Sequence, residues 1–474
     1  MKMIKSIISC AAAVRAIVRW LGAKLNVRRA AASVAPVARR GRSLGGLGLV
    51  LSVAILHAGE FFLHDGDRVV FLGDSITEQR LYTTYIEAYA LSRHPTWKLS
   101  FRNAGWGGDT SWLRMRFHTD EFLLFASDDA RQTEMVRKSV GFGLQRDVLP
   151  LKPTVVLVNF GMNDHYYQAL RPDILRAYVR AQAEIGRVLT AGGARVAFLT
   201  PQPIEEKRPD PDQDVRNQAL RKFSDALGEV AASAHCLFVD EFDPYMAFMK
   251  ASTAATIGRG DAIHPGPAGH TIMAWAILKG LGATPMVSSA TINGQSGRVE
   301  STEACQIEDV TIENGTIAFD RLDEALPMPI DPKAESALSL APVLADLNFY
   351  DLKIPGLPPG RYSVKIDGKT VSTVNGGELA DSWRFSRGAG PITEQAQELL
   401  ALIVKKNDAY FRRWRNVQLY TAPEWVVAPA ELEAKRQAEL TRLDQEIADL
   451  EAAIDIARKP KPHHFLIAPA PAES

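Results

Sequence analysis

Val69-Val70-Phe71-Leu72-Gly73-Asp74-Ser75-Ile76-Thr77-Glu78 passes from an unbroken apolar run, through a glycine, to a serine at the head of a new pattern. An apolar run of this length ended by glycine reads as a strand buried on both faces. The same pattern recurs downstream. Strands are expected at 99–102, 154–160, 195–200 and 236–239, with helical patterns at about 78–94, 131–149, 172–191, 213–233 and 267–281. Short apolar β runs alternating with helices predict an α/β fold with a mainly parallel sheet covered on both faces. In such sheets a site forms beyond the carboxyl ends of the strands.

Two motifs follow strand ends directly: Gly73-Asp74-Ser75 and Gly161-Met162-Asn163-Asp164. Two more accompany them, Asn103-Ala104-Gly105-Trp106-Gly107-Gly108-Asp109-Thr110 and Asp261-Ala262-Ile263-His264-Pro265. Together they supply a serine nucleophile, oxyanion donors, a base and a carboxylate to orient it, which are the parts acyl transfer requires. Each has a plainer reading. Ser75-Ile76-Thr77-Glu78 fits a helix capping box. Gly108 fits a turn, and Asn163 an Asx-turn. Asp261 and His264 fit a surface turn. His264 and His270 lack the i, i+4 spacing of a helical metal pair, so no metal is expected.

The four blocks, in this order, resemble those of the SGNH (GDSL-type) hydrolases over about residues 67–283. The resemblance implies a three-layer α/β/α sandwich that needs no metal or organic cofactor. It implies Ser75 as nucleophile, His264 as base and Asp261 as its partner. The oxyanion would rest on the N–H groups of Ser75 and Gly108 and the amide of Asn163. Asp109 and Asp164 read as turn or structural residues. The family acts on acetylated sugars, lipids, thioesters and aryl esters.

The expected function is therefore a serine esterase working through an acyl-enzyme, with O-deacetylation of a carbohydrate as the leading substrate reading. Trp106, Trp112, Tyr166 and Tyr167 flank the motifs and are candidates to stack on sugar rings, the alternative being that they pack the core. The other readings are a lipid, lysophospholipid or thioester hydrolase, and a non-catalytic carbohydrate-binding or scaffold protein on the same frame. Gly108 and Asn163 are farther apart than the family suggests. The surplus falls in 117–143, read either as a lid or specificity loop or as a peripheral decoration.

The chain has 474 residues and a formal net charge of zero, so no global field points to nucleic acid. Three cysteines without paired spacing indicate neither a zinc site nor a disulfide framework. Residues 1–43 carry ten Lys or Arg and no acidic residue, and 44–56 carry no charge. Basic then apolar is the order of a secretory signal, so export to the periplasm or cell exterior is expected, with no stable membrane span in the mature chain. A downstream translation start or an organellar transit peptide are the alternatives.

After about residue 285, Asn293-Gly294, Asn314-Gly315 and Asp367-Gly368 mark hairpin turns. The expected organisation is a leader at 1–59, the catalytic domain at 60–285, a small antiparallel β module at 286–390, a helical region at 391–458 and a disordered Pro-rich tail at 459–474. In the helical region Leu440, Leu443, Ile447, Leu450 and Ile454 recur three and four apart, as in a packed helical hairpin or a dimer seam.

Overall fold

The computed structural model describes residues 60–205, 210–251, 261–384, 390–421 and 429–470. The expected leader at 1–59 lies outside the described residues. Strands β1 (Arg68–Gly73), β2 (Ser100–Gly105), β3 (Val155–Asn159), β4 (Arg195–Leu199) and β5 (Leu237–Val239) form a parallel sheet in the order β2-β1-β3-β4-β5. Alternate residues serve opposite faces. Val69, Phe71, Val155 and Leu157 enter one apolar core, and Val70, Leu72, Val156 and Val158 enter the other. Burial on both faces is why β1, β3 and β4 read as nearly unbroken apolar runs.

Among the described residues, eight helices flank the sheet: α1 (Ser75–Glu78), α2 (Leu81–Arg93), α3 (Glu121–Ala126), α4 (Asp129–Asp147), α5 (Pro172–Ala191), α6 (Val215–Ser233), α7 (Phe242–Ala251) and α8 (Pro267–Gly280). Side chains of α2, α7 and α8 fill the first core, and those of α4, α5 and α6 fill the second. The strand order reverses on either side of β1, placing a crevice beyond the carboxyl ends of β1 and β3. Gly73 is needed there. A Cβ on it would lie 2.5 Å from the Asn159 carbonyl oxygen.

The expected 117–143 insertion is anchored in the core at several points. Leu124 of α3 and Val136, Val140 and Leu144 of α4 are buried in the second apolar cluster. A lid swinging free over this length would tear out those buried side chains.

Beyond α8, two sheets pack around one shared core. The first has the order β13-β10-β6-β7 and joins β6 (Met286–Ile292), β7 (Val299–Glu303), β10 (Phe349–Lys353) and β13 (Trp383–Arg384). The second has the order β12-β11-β14-β9-β8 and joins β8 (Cys305–Glu313), β9 (Thr316–Asp323), β11 (Arg361–Ile366), β12 (Lys369–Asn375) and β14 (His463–Pro469). Pairing is antiparallel except for β10 on β6. Asn314-Gly315 and Asp367-Gly368 make two-residue turns with φ of 51° and 78°, and 48° and 78°. Positive φ at both positions is what a type I′ hairpin requires.

One expectation of the domain plan is corrected. Residues 463–469 are not a disordered tail. They form β14, which pairs with β9 on one side and β11 on the other. The prolines at 460 and 462 precede the strand, so they remove no ladder donor from it. The helical region packs on the rest of the chain. Helices α9 (Pro391–Phe411) and α10 (Pro429–Ala457) pack together as a hairpin, with Leu443, Ile447 and Ile454 buried against the rest of the chain. The hairpin covers β2, the edge strand of the catalytic sheet. Lys406 Nζ lies 2.6 Å from Glu87 Oε1 and 3.4 Å from the Phe101 carbonyl, and Arg102 meets Glu451 at 2.8 Å. Covering an edge in this way removes a site for unwanted strand pairing.

Candidate active site

Ser75 is the first residue of α1. The residue that caps this helix is Asp74, whose Oδ1 accepts from Ile76 N at 2.9 Å. Ser75 is thereby spared the capping role, and its Oγ lies 2.9 Å from His264 Nε2. Glu78, the other half of the capping pattern, reaches away from α1 and accepts the Gly107 N–H at 3.0 Å.

His264 stands in the loop leading to α8. Its Nδ1 is 3.1 Å from Asp261 Oδ2 and 3.2 Å from Oδ1. Asp261 Oδ1 also accepts the backbone N–H groups of Ile263 at 2.9 Å and His264 at 2.6 Å. Partial burial works to raise the Asp261 pKa. The two N–H groups and the His264 ring outweigh it and hold the carboxyl below its ordinary value. Asp261, His264 and Ser75 thus form one hydrogen-bonded chain, able to take a proton from Oγ and orient the imidazole that receives it.

Across the crevice, Trp106-Gly107-Gly108-Asp109 forms a turn closed by Asp109 N on the Trp106 carbonyl at 3.0 Å, with Gly108 at φ 76°. Positive φ at this third turn position favours glycine. Arg114 Nε donates to the Gly108 carbonyl at 2.8 Å. The N–H groups of Ser75 and Gly108 are engaged by no other group among the described residues. Asn163 Nδ2 gives one hydrogen to the Asp109 carbonyl at 2.9 Å and has a second to offer.

Residues 71–272 match the profile of the GDSL-like lipase/acylhydrolase family. That match, over a sheet carrying the Ser75–His264–Asp261 chain, decides the family of this part of the chain. Residues 71–272 form an SGNH (GDSL-type) hydrolase domain. The chain's sequence is 27% identical over 147 residues to an acetylxylan esterase of Geobacillus stearothermophilus, an alignment spanning 29% of this chain and 64% of that protein. A gut microbial diltiazem-metabolizing enzyme of known structure shares the fold. It superposes with a TM-score of 0.70 at 23% identity, over 86% of this chain and 98% of its own. That extent takes the shared architecture well past the SGNH domain.

Of the four aromatic candidates in this SGNH domain, the structure keeps one in contact with the site. Trp112 is fully buried, donates to Glu121 Oε1 at 2.8 Å and packs edge-on to Phe125. Trp106 is also buried, with the Arg415, Arg146 and Arg116 guanidiniums at 3.7, 5.1 and 5.4 Å from its ring centre. Neither offers a ring to a substrate. Tyr166 faces Arg114 and Phe125. Tyr167 remains 39% exposed and donates its hydroxyl to Asn163 Oδ1 at 2.5 Å, which turns Nδ2 of that amide to the other side. Both tyrosines hold positive φ, 52° and 54°, a costly conformation of the kind found at functional sites.

Sequence reasoning missed the arginines. Arg116 is fully buried and bridges Asp109 at 2.8 Å and Asp147 at 2.7 Å, tying the SGNH glycine turn to the end of α4. Its only sequence signal was a charged residue close behind the glycine block. Behind Ser75 lie further buried carboxyls. Burial raises Asp74 to about 8, with Asp164 and Asp109 adding to the rise. Burial likewise raises Asp164 to about 7 against the pull of its Ser111 hydrogen bonds. Among the described residues no group of three or more His, Cys, Asp or Glu could hold a metal ion. His270, the second histidine of that region, stacks on Tyr82 in the core.

Proposed function

We propose that this chain is a serine ester hydrolase acting through an acyl-enzyme, with an O-acetylated carbohydrate as substrate. The observation that carries the chemistry is the continuous chain from Asp261 through His264 to Ser75, at 3.1 and 2.9 Å. Ser75 Oγ bonds to the ester carbonyl carbon as His264 Nε2 takes its proton. The negative charge rests on the N–H groups of Ser75 and Gly108 and the Asn163 amide. The ester C–O bond breaks and the alcohol leaves with the proton from Nε2. Water then attacks the acyl-enzyme, giving its proton to Nε2, and Ser75 is released with the carboxylic acid.

The carbohydrate reading draws support from the similarity to an acetylxylan esterase. A second reading has its own observation. Met115, 47% exposed, lies beside Gly108, and Tyr167 beside Asn163, so the rim is more apolar than a sugar cleft needs. That favours an ester with an apolar acyl or alcohol part. Release of the carboxylic acid from acetylated xylan oligosaccharides, 4-nitrophenyl acetate and a lysophospholipid, compared side by side, tests both. Preference for the oligosaccharide supports the first, and preference for the other esters overturns it in favour of the second. Export is also part of this proposal and rests on the order of residues 1–56. A fusion of that segment to alkaline phosphatase is expected to be active, as this reporter folds outside the cytoplasm.

A further inference from the structure

We propose that Arg415, in the C-terminal hairpin, is a positioning residue for the esterase site, acting through Glu78 on the turn that carries Gly108. The inference rests on the esterase reading above. Glu78 lies in the same short helix as Ser75, and its Oε2 accepts the Gly107 N–H at 3.0 Å. One side chain therefore fixes the distance between the nucleophile and the oxyanion turn. Glycine at 107 is what permits it, since a Cβ there would sit 2.7 Å from that same oxygen.

A carboxylate in this half-enclosed position needs a counter-charge to hold its rotamer. Arg415 Nε stands 3.5 Å from Glu78 Oε1, and the same guanidinium lies 3.7 Å from the centre of the Trp106 ring. Arg415 thus holds Glu78 and the residue just before Gly107 together. Its Nε is buried without a hydrogen bond, so the ion pair and the ring face are what engage that edge of the group. The side chain comes from the π-helical turns Arg412–Gln418 that follow α9. Such turns carry an extra residue and re-aim side chains, often at functional sites. Arg146 and Arg116 still flank Trp106 without it, so the ring keeps its bed when Arg415 is replaced.

The test measures kcat and KM for 4-nitrophenyl acetate, with the thermal midpoint, in wild type, Ser75→Ala, Arg415→Ala, Arg415→Lys, Glu78→Gln and the Arg415→Ala/Glu78→Gln pair. Arg415→Ala is expected to lower kcat by about tenfold with KM within about twofold, and Arg415→Lys to recover part of the loss. The double variant should lose no more than the worse single one, as two members of one chain do. Arg415→Gln replaces Arg415→Ala should the latter not fold. Unchanged kcat in Arg415→Ala, or additive losses in the pair, overturns the inference while leaving a Ser75-dependent esterase intact. Wild-type turnover that survives Ser75→Ala overturns the esterase reading and this inference with it.

Discussion

Asp164 and Asp323 are both buried carboxylates, one beside the catalytic crevice and one inside the β-sandwich, and their surroundings differ. Asp323 takes Arg321 Nε at 2.9 Å and Ser288 Oγ at 2.5 Å on one oxygen, and the Tyr350 hydroxyl on the other. Asp164 receives Ser111 N and Oγ on Oδ1, and its Oδ2 is buried with no hydrogen-bond partner. A fully partnered buried charge holds a fold in one arrangement. A half-partnered one is costly, and such costs persist where chemistry constrains the neighbours. Here those neighbours are Asp74, which caps the helix of Ser75, and Asn163.

The sharpest way to break this contrast is Ser75→Ala. Turnover of 4-nitrophenyl acetate should fall by roughly 10⁴-fold or more, with the thermal midpoint close to wild type. Arg321→Met should do the reverse. It strips a buried carboxylate of its cation, costing about 3–5 kcal/mol in urea unfolding, while folded protein keeps its kcat. A kcat loss there would mean that the sandwich is coupled to catalysis. Asn163→Ala should cost roughly 10²–10³ in kcat, and near wild-type activity would remove the amide from the oxyanion site. Tyr167→Phe, which only frees the Asn163 amide to turn, should cost less than about tenfold.

The smallest effect concerns pH. Asp164 is raised in the folded state, so it binds its proton more tightly there than when unfolded. Its contribution to stability is complete below the unfolded pKa and is lost as pH rises towards about 7. Asp164→Asn keeps the acceptor for Ser111 and abolishes the titration. Its thermal midpoint should gain on wild type between about pH 5 and about pH 8, and a constant difference would contradict the raised pKa.

Much of the catalytic half was legible because its signals are local. The five expected strands formed, each close to its expected bounds, and β1, β3 and β4 carry the apolar mark that double-sided burial leaves. Ser75, Asp261 and His264 were named from four motifs and their resemblance to the SGNH hydrolases, and the fold brings them within hydrogen-bond reach across residues far apart in sequence. Burial of Trp106 and Trp112 was not legible. An aromatic beside a glycine turn looks the same whether it faces the crevice or the core, and here three guanidiniums arriving from 116, 146 and 415 decide the matter for Trp106. Strand β14 was hidden for a related reason. Its partners are β9 and β11, far back in the chain, and its flanking prolines dominate the local composition.

Strand β14 also sets the timing of assembly. It is the middle strand of its sheet, so β9 and β11 have no direct partner in each other until residues 463–469 have been synthesised. Likewise the β2 edge stays bare on the ribosome until the hairpin α9–α10 has emerged. A nascent chain of this protein therefore carries unfinished sheet edges late into its translation, a period in which strand pairing with other chains competes with completion.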